Sequence, residues 1–301
     1  MSIIYYQTLP DVEHYFRPKT IEEAISLLTR YGEKGKILAG GTDLLVLMRG
    51  RTLTPKYIID IRGIADLEYV KQDGDTLKIG ALATLRSVEL KLSKKEEFLS
   101  LYEAIHKMGS TQIRNMGTVV GNICRASPSS DTAPPLLTLE ASVEIFGPEG
   151  TRTISLNDFF TGPGETVVKH NEIVTEIQVP RFRTGSGTAS LRMTRVAADL
   201  AKVNVATLIA IEGRDETCHD ARIALGGVAP IPMRARKAEL LLKGSKLNGE
   251  LINEVALTAA NETQPITDIR STQEYRKSLS EVLVKRAINL SWERAKRSLE
   301  V

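Results

Sequence analysis

The chain is poor in the groups that most metal and nucleophilic chemistry needs. Its two cysteines, Cys124 and Cys218, stand far apart and in no CxxC pair, which excludes a four-thiolate zinc or iron–sulfur site in this chain. The four histidines, His14, His106, His170 and His219, are isolated from the cysteines and from one another, so metal sites and Ser-His-Asp triads lack their usual members. There is no GxGxxG and no Gly-Lys-Ser/Thr, so neither a Rossmann fingerprint nor a P-loop is present. No uncharged apolar run approaches the ~20 residues of a membrane-spanning helix. The opening MSIIYYQTLPDVEHYF has no basic n-region, apolar h-region or small-residue cleavage site. A net charge of +3 is too small to imply nucleic acid or an acidic membrane surface. These absences point to a cytoplasmic protein.

What is present is an ordinary globular composition, 42% hydrophobic and 26% charged over 301 residues, enough for about two domains with a large core. Thr20 and Glu23 have capping-box spacing ahead of a helix over Ile21–Tyr31, whose apolar face is Ile21, Ala24, Ile25 and Leu28. Strands are expected at Lys36 onward, Tyr57–Ile61, Tyr69–Gln72, Thr76–Ile79, Ser142–Phe146, Arg152–Ser155 and Ile173–Val179. Ser87–Met108 reads as mostly helical. The Gly/Ser-rich 183–190, RTGSGTAS, reads as a boundary between 1–182 and 183–301. Beyond it come strands Val203–Ile211 and Ala221–Leu225 with a turn at Gly213–Thr217. Helices follow at Met233–Lys243, at Leu251–Asn261, and from Thr272, the last opened by Ser271 and Glu274. Strands followed by helices argue for α+β.

Two stretches carry the chemistry. Ile37–Leu44 (ILAGGTDL) places Gly40-Gly41-Thr42 directly after a strand, where backbone amides and the Thr42 hydroxyl can meet a diphosphate and Asp43 can cap the next turn. Gln112–Leu137 (QIRNMGTVVGNICRASPSSDTAPPLL) has neither a helical stripe nor strand alternation and reads as an irregular, ordered loop rich in small donors. Alone, the first reads more readily as a simple turn and the second as a surface connection. Together they suit the two ends of a dinucleotide. Cys124 reads as a small packing residue, since no histidine lies near it in sequence. Arg192 and Arg195 read as phosphate partners or as strand-edge charges.

The pair AGGTDLL and QIRNMGTVVGNICRASPSSDTAPPLL resembles the FAD-binding medium subunit of the molybdenum hydroxylases, the xanthine dehydrogenase and carbon-monoxide dehydrogenase family. RPKTIEEAISLL, IGALATL, EIVTEIQVP, DLAKVNVAT, ARIALGGVAPIPMRA and STQEYRKSLSEVLVKRAINLSWERA follow in the family's order. The resemblance implies an α+β fold: a two-subdomain FAD-binding domain of the PCMH type, then a C-terminal three-stranded sheet with helices. It implies an oxidoreductase flavoprotein subunit that binds FAD non-covalently. Its partners would be a molybdopterin-bearing large subunit and a small subunit with [2Fe–2S] clusters, in a dimer of heterotrimers. Substrate chemistry would belong to the large subunit, and this chain would pass electrons to an external acceptor.

Carried over residue by residue, the resemblance puts Ile37, Leu38, Ala39, Gly40, Gly41, Thr42, Asp43 and Leu44 along the FAD diphosphate. Thr118, Val119, Val120, Gly121 and Asn122 form the second flavin loop, and Asp131 bonds the adenosine part. Val174 packs near the flavin, Met108 takes the place of an aromatic in some relatives, and Arg192 is the candidate basic residue reaching the cofactor. Val120 departs from the Gly or Ala usual at its position. The expectation is that the position is extended or that the loop is reshaped. A self-sufficient FAD oxidase and a flavin-free scaffold are the alternatives to the relay.

Overall fold

A computed structural model describes residues 9–182, 184–212 and 217–299. The chain opens with β1 (His14–Phe16), α1 (Ile21–Tyr31), β2 (Gly35–Leu38), α2 (Leu44–Arg49) and β3 (Tyr57–Asp60), and the strands form a parallel sheet in the order β1-β3-β2. The Glu23 amide donates to Thr20 Oγ1 at 3.2 Å, and the Glu23 carboxylate accepts from the Lys19 amide at 2.7 Å. Capped in this way, α1 buries Ala24, Ile25 and Leu28.

The second lobe runs β4 (Val70–Asp73), β5 (Thr76–Gly80), α3 (Leu85–Leu92), α4 (Leu99–His106), α5 (Thr111–Met116), α6 (Val119–Cys124), α7 (Ala133–Thr138), β6 (Ser142–Gly147), β7 (Gly150–Ser155), β8 (Phe160–Gly162), β9 (Glu165–Thr166) and β10 (Ile173–Pro180). Its main sheet is antiparallel in the order β4-β5-β10-β6-β7. Phe98, Leu101, Ile105, Ile123 and Phe159 are fully buried between this sheet and the helices. Each such burial contributes about 1.5–3 kcal/mol.

The third part runs β11 (Ser186–Met193), β12 (Val203–Glu212), β13 (Thr217–Gly226), β14 (Met233–Arg234), α8 (Arg236–Leu242), α9 (Gly249–Glu262) and α10 (Gln273–Leu299). Three long antiparallel strands, with the two-residue β14 added at the edge, hold their own apolar core against the helices. A clamp joins this part to the second lobe. The Glu103 carboxylate on α4 accepts from Arg294 of α10 at 2.6 Å and from the Ser190 amide of β11 at 2.8 Å.

Several expectations are corrected. The central stretch is not an irregular loop but holds three short helices, because Ser110 and Thr118 cap α5 and α6 and proline opens α7. The expected 87–108 helix breaks between Leu92 and Leu99 into α3 and α4. The Gly/Ser-rich boundary is largely strand β11. A Cβ on Gly187 would stand 2.0 Å from the Ser291 carbonyl oxygen, so this glycine serves close packing on α10 rather than freedom. Met233 and Arg234 pair as β14, and the helix begins at Arg236. Thr272, not Ser271, caps α10, its Oγ1 accepting from the Tyr275 amide at 3.2 Å. Arg183 and most of the expected 213–217 turn lie outside the described residues.

Candidate functional site: a cleft between two glycine-bearing segments

The parallel strands β2 and β3 run toward the same end of their sheet, and the 39–43 segment leaves β2 there. Crevices at the carboxyl ends of parallel strands are where ligands of α/β sheets collect. The second segment, the start of α6, is brought against the first by direct backbone contact. A Cβ on Gly40 would stand 2.2 Å from the Met116 carbonyl oxygen and 2.8 Å from the Gly117 Cα. Gly41 has φ +75°, a left-handed conformation that glycine adopts without strain. The seam is extended by the Gly117 carbonyl, which accepts from the Leu85 amide at 2.8 Å. The Thr118 hydroxyl caps α6 by accepting from the Gly121 amide at 2.9 Å.

Beside this seam lies a cleft of about 290 Å³. From the expected set, Ile37, Ala39, Gly40, Gly41, Thr42, Asp43, Leu44, Met108, Thr118, Val120, Gly121, Asn122 and Val174 line it. Leu38 and Val119 do not line it but are buried, Leu38 packing near Met48 and Ile58 and Val119 in the main core. Val120 is neither extended nor strained. It is helical, in the first turn of α6, where a β-branched side chain fits with negative φ and packs inward. Asp43 precedes α2, yet its side chain makes no capping bond. Sequence reasoning missed Leu47, Ile61, Ile113, Cys124, Arg125 and Ile173, which also line the cleft. Position after β3 was the available signal for Ile61. A larger cavity of about 800 Å³, edged by Asp75, Glu97, Arg181 and Arg297, lies away from both glycine segments.

Asp131 and Arg192 are brought together, though not into the cleft wall. The Arg192 guanidinium donates to Asp131 Oδ2 at 2.7 Å and to the carbonyls of Ala197 and Asp199, while Asn204 donates to Asp131 Oδ1 at 3.3 Å. Burial pushes the Asp131 carboxyl up, against the opposing pull of Arg192 and Asn204. Arg195 instead pairs with Asp199 at the surface. Glu89 is buried among Arg86, His106 and Arg114, at 2.9, 2.7 and 3.1 Å. Burial pushes Glu89 up, but those bonds outweigh it and hold the carboxyl below its ordinary range. Arg114 also donates to the Met108 carbonyl at 3.0 Å, which fixes a residue of the cleft wall.

Chemically, the cleft offers apolar side chains (Ile37, Leu44, Leu47, Ile61, Val174) and polar ones (Thr42, Asp43, Asn122, Arg125). No histidine and no pair of carboxylates lines it. Among the described residues there is no group of three or more His, Cys, Asp or Glu side chains placed to hold a metal ion. No described helix is long and apolar enough to cross a membrane.

Residues 10–182 match the family described as the FAD binding domain in molybdopterin dehydrogenase. The chain belongs to that family. Residues 191–290 match the CO dehydrogenase flavoprotein C-terminal domain. Among curated proteins, the chain is 32% identical to the carbon monoxide dehydrogenase medium chain of Hydrogenophaga pseudoflava, covering 95% of this chain and 99% of the relative. It is 33% identical to the glyceraldehyde dehydrogenase medium chain of Sulfolobus acidocaldarius, covering 91% and 96%. A solved structure of carbon monoxide dehydrogenase from Hydrogenophaga pseudoflava superposes with a TM-score of 0.92 at 33% identity, over 95% of this chain and 99% of that one. This chain is thus an FAD-binding flavoprotein subunit of the molybdenum hydroxylase family, an oxidoreductase component with an α+β fold.

Proposed function

We propose that this chain works as an electron relay, passing electrons between [2Fe–2S] clusters of a small subunit and an acceptor outside the complex. A molybdopterin-bearing large subunit carries out the substrate chemistry, the three chains assemble as a dimer of heterotrimers, and the complex works in the cytoplasm. The observation that carries this reading is the cleft, which is built to hold a dinucleotide and not to move substrate protons. The missing side chain of Gly40 lets two backbones meet at its edge. Its polar lining includes the donors Thr42, Asn122 and Arg125 beside one carboxylate, Asp43, and much of its wall is apolar.

These residues fit FAD. Ile37, Leu44, Ile61 and Val174 present apolar surface to a flat ring system and exclude water. Thr42 and Asn122 present donors to phosphate or sugar oxygens. Bound FAD supplies chemistry that no side chain here has, accepting and returning electrons singly or in pairs. With no histidine in the wall, attachment is expected to be non-covalent. Cys124, exposed at the cleft, is the thiol whose reaction with the flavin would overturn that expectation.

The test has two parts. Acid precipitation should release FAD, not FMN, into the supernatant. Anaerobic mixing of the purified chain with purine, aldehyde or aromatic substrates should leave the flavin oxidised, whereas adding the small and large subunits should bleach it. Rapid bleaching by substrate with this chain alone would favour a self-sufficient oxidase. A colourless chain that takes up no FAD would favour a scaffold.

A further inference from the structure

A buried ion cluster ties together three elements that each give one apolar side chain to the cleft. Leu85 opens α3, Met108 follows α4 and Ile113 sits on α5, and all three line the cleft. Glu89, one turn after Leu85 on α3, is 2% exposed. Its carboxylate accepts from Arg86 of α3 at 2.9 Å and from Arg114 of α5 at 3.1 Å, and stands 2.7 Å from His106 Nδ1 at the end of α4. Arg114 then reaches back across the turn between α4 and α5. Its Nη1 donates to the Met108 carbonyl at 3.0 Å, and its Nη2 stands 3.5 Å from Thr111 Oγ1. One guanidinium thus fixes α3, α5 and the turn before α5 relative to one another.

Elsewhere in the lining, neutral bonds hold the side chain. Asn122 Oδ1 accepts from Ser130 Oγ at 2.7 Å and from Thr132 Oγ1 at 2.6 Å, on either side of the Asp131 that pairs with Arg192. The ion cluster is a costlier device, because a buried ion pair stabilises a fold no better than apolar packing does. What it adds is charge. Two guanidiniums face one carboxylate. Arg86 is partly exposed and screened by solvent, whereas Arg114 is 8% exposed and screened far less. Arg114 follows one lining residue in sequence, Ile113, and bonds another, Met108.

Resting on the reading of the cleft as an FAD site, we propose that Glu89 and Arg114 are positioning residues for the flavin ring. They hold the wall of Leu85, Met108 and Ile113 against it and keep an excess of positive charge behind that wall. Electrons delivered to the ring bring negative charge into a site of low dielectric, where a nearby cation is felt strongly. Arg114 supplies that cation, and Glu89 sets its place and offsets part of its charge.

The test uses the full chain and two readouts. One is the flavin midpoint potential at a fixed pH, by dithionite titration against indicator dyes. The other is the affinity of the deflavinated chain for FAD and for ADP, which lacks the flavin ring. Arg114→Gln should lower the potential and weaken FAD about tenfold, the scale of one charge-assisted bond, while ADP affinity holds. Glu89→Gln should raise the potential, because it removes the offsetting charge and leaves Arg114. Arg86→Gln should lower it by less than Arg114→Gln does. Arg114→Lys should keep the potential near that of wild type yet still weaken FAD, since an ammonium lacks the fork that reaches both Glu89 and Met108. Thermal unfolding of each flavin-free variant is the folding control. Should Arg114→Gln not fold, the pair Glu89→Gln and Arg86→Gln, expected to shift in opposite directions, decides the same point. Shifts of one sign in the glutamate and arginine variants, or no shifts, overturn the charge role. Wild-type FAD affinity in both Arg114 variants, or ADP weakened as much as FAD, overturns the positioning role. A wild-type chain that takes up no FAD would instead remove the FAD reading, and the proposal with it.

Discussion

Glycine serves two different ends in the two halves of this molecule. At Gly40 the missing Cβ admits another backbone, that of Met116 and Gly117, and a cleft stays open beside the contact. At Gly187 the missing Cβ admits the backbone of α10, with Ser291 oxygen at 2.0 Å and Ala295 nitrogen at 2.4 Å of the built position. There the contact is closed, in a sheet whose central strand β12 is buried along nearly its whole length. Close approach by itself therefore marks packing. It marks a ligand site when two segments meet at the carboxyl ends of strands and leave donors and apolar surface facing the gap.

The largest expected effect lies where the halves join. Arg192→Ala leaves Asp131 buried without its cation, which should cost about 3–5 kcal/mol in chemical denaturation. The deficit should narrow as pH falls toward the ordinary carboxylate range, about 3.9 for an Asp in the unfolded chain. A carboxyl raised in the folded state binds its proton there more readily than in the unfolded chain, so stability falls as pH rises through that range. A deficit independent of pH would mean that Asp131 stays ionised.

The two glycines should then part. Gly187→Ala overpacks the α10 contact and should cost about 1–3 kcal/mol in thermal unfolding, while the folded fraction keeps its FAD affinity. Gly40→Ala should lose FAD affinity, because the seam must open to admit a methyl group. Equal effects on FAD in both variants would erase the distinction. A smaller effect is expected at the caps. Thr118→Ala removes the bond to the Gly121 amide and should cost about 0.5–2 kcal/mol. Asp43→Ala, with no capping bond to lose, should leave the melting temperature unchanged. Asp131→Ala should weaken FAD more than Asp43→Ala does, since Asp131 anchors the stretch holding Asn122.

The smallest effect concerns acid. Glu89 is held below its ordinary range, so the stability it contributes is present above the unfolded carboxyl value near about 4.3 and is lost as pH falls through the folded one. Melting curves of wild type and Glu89→Gln should differ at neutral pH and converge in acid. Curves that stay parallel down to acid would mean that the arginine and histidine bonds do not set its protonation.

Much of this architecture was legible. Helix α1 has its expected limits, since its cap, apolar stripe and following glycine agree. The two glycine segments, read as a pair in the sequence, line one cleft. The helices within 112–137 were not legible, because six-residue elements carry less than two turns of periodicity and their start rests on single caps, Ser110 and Thr118. The stretch read as a boundary, 183–190, is mostly strand β11, because glycine and serine permit tight packing as well as flexibility. The pairing of Asp131 with Arg192 is a long-range contact between halves, which local pattern does not encode. Arg125 was hidden by the absence of any motif around it. Its place in the cleft appears once α6 is known to be a helix.

The seam at Gly40 and Gly117 has a kinetic consequence. It joins segments from different lobes, well separated along the chain, so it forms late, after a long loop has closed. A ligand that spans the cleft binds only the joined state and shifts the opening equilibrium in proportion to its concentration over its dissociation constant. Amide hydrogens around Met116 and Thr118 should therefore exchange with deuterium by local opening in the flavin-free chain, and slow in step with FAD occupancy. Those at the centre of β12 should report global unfolding alone.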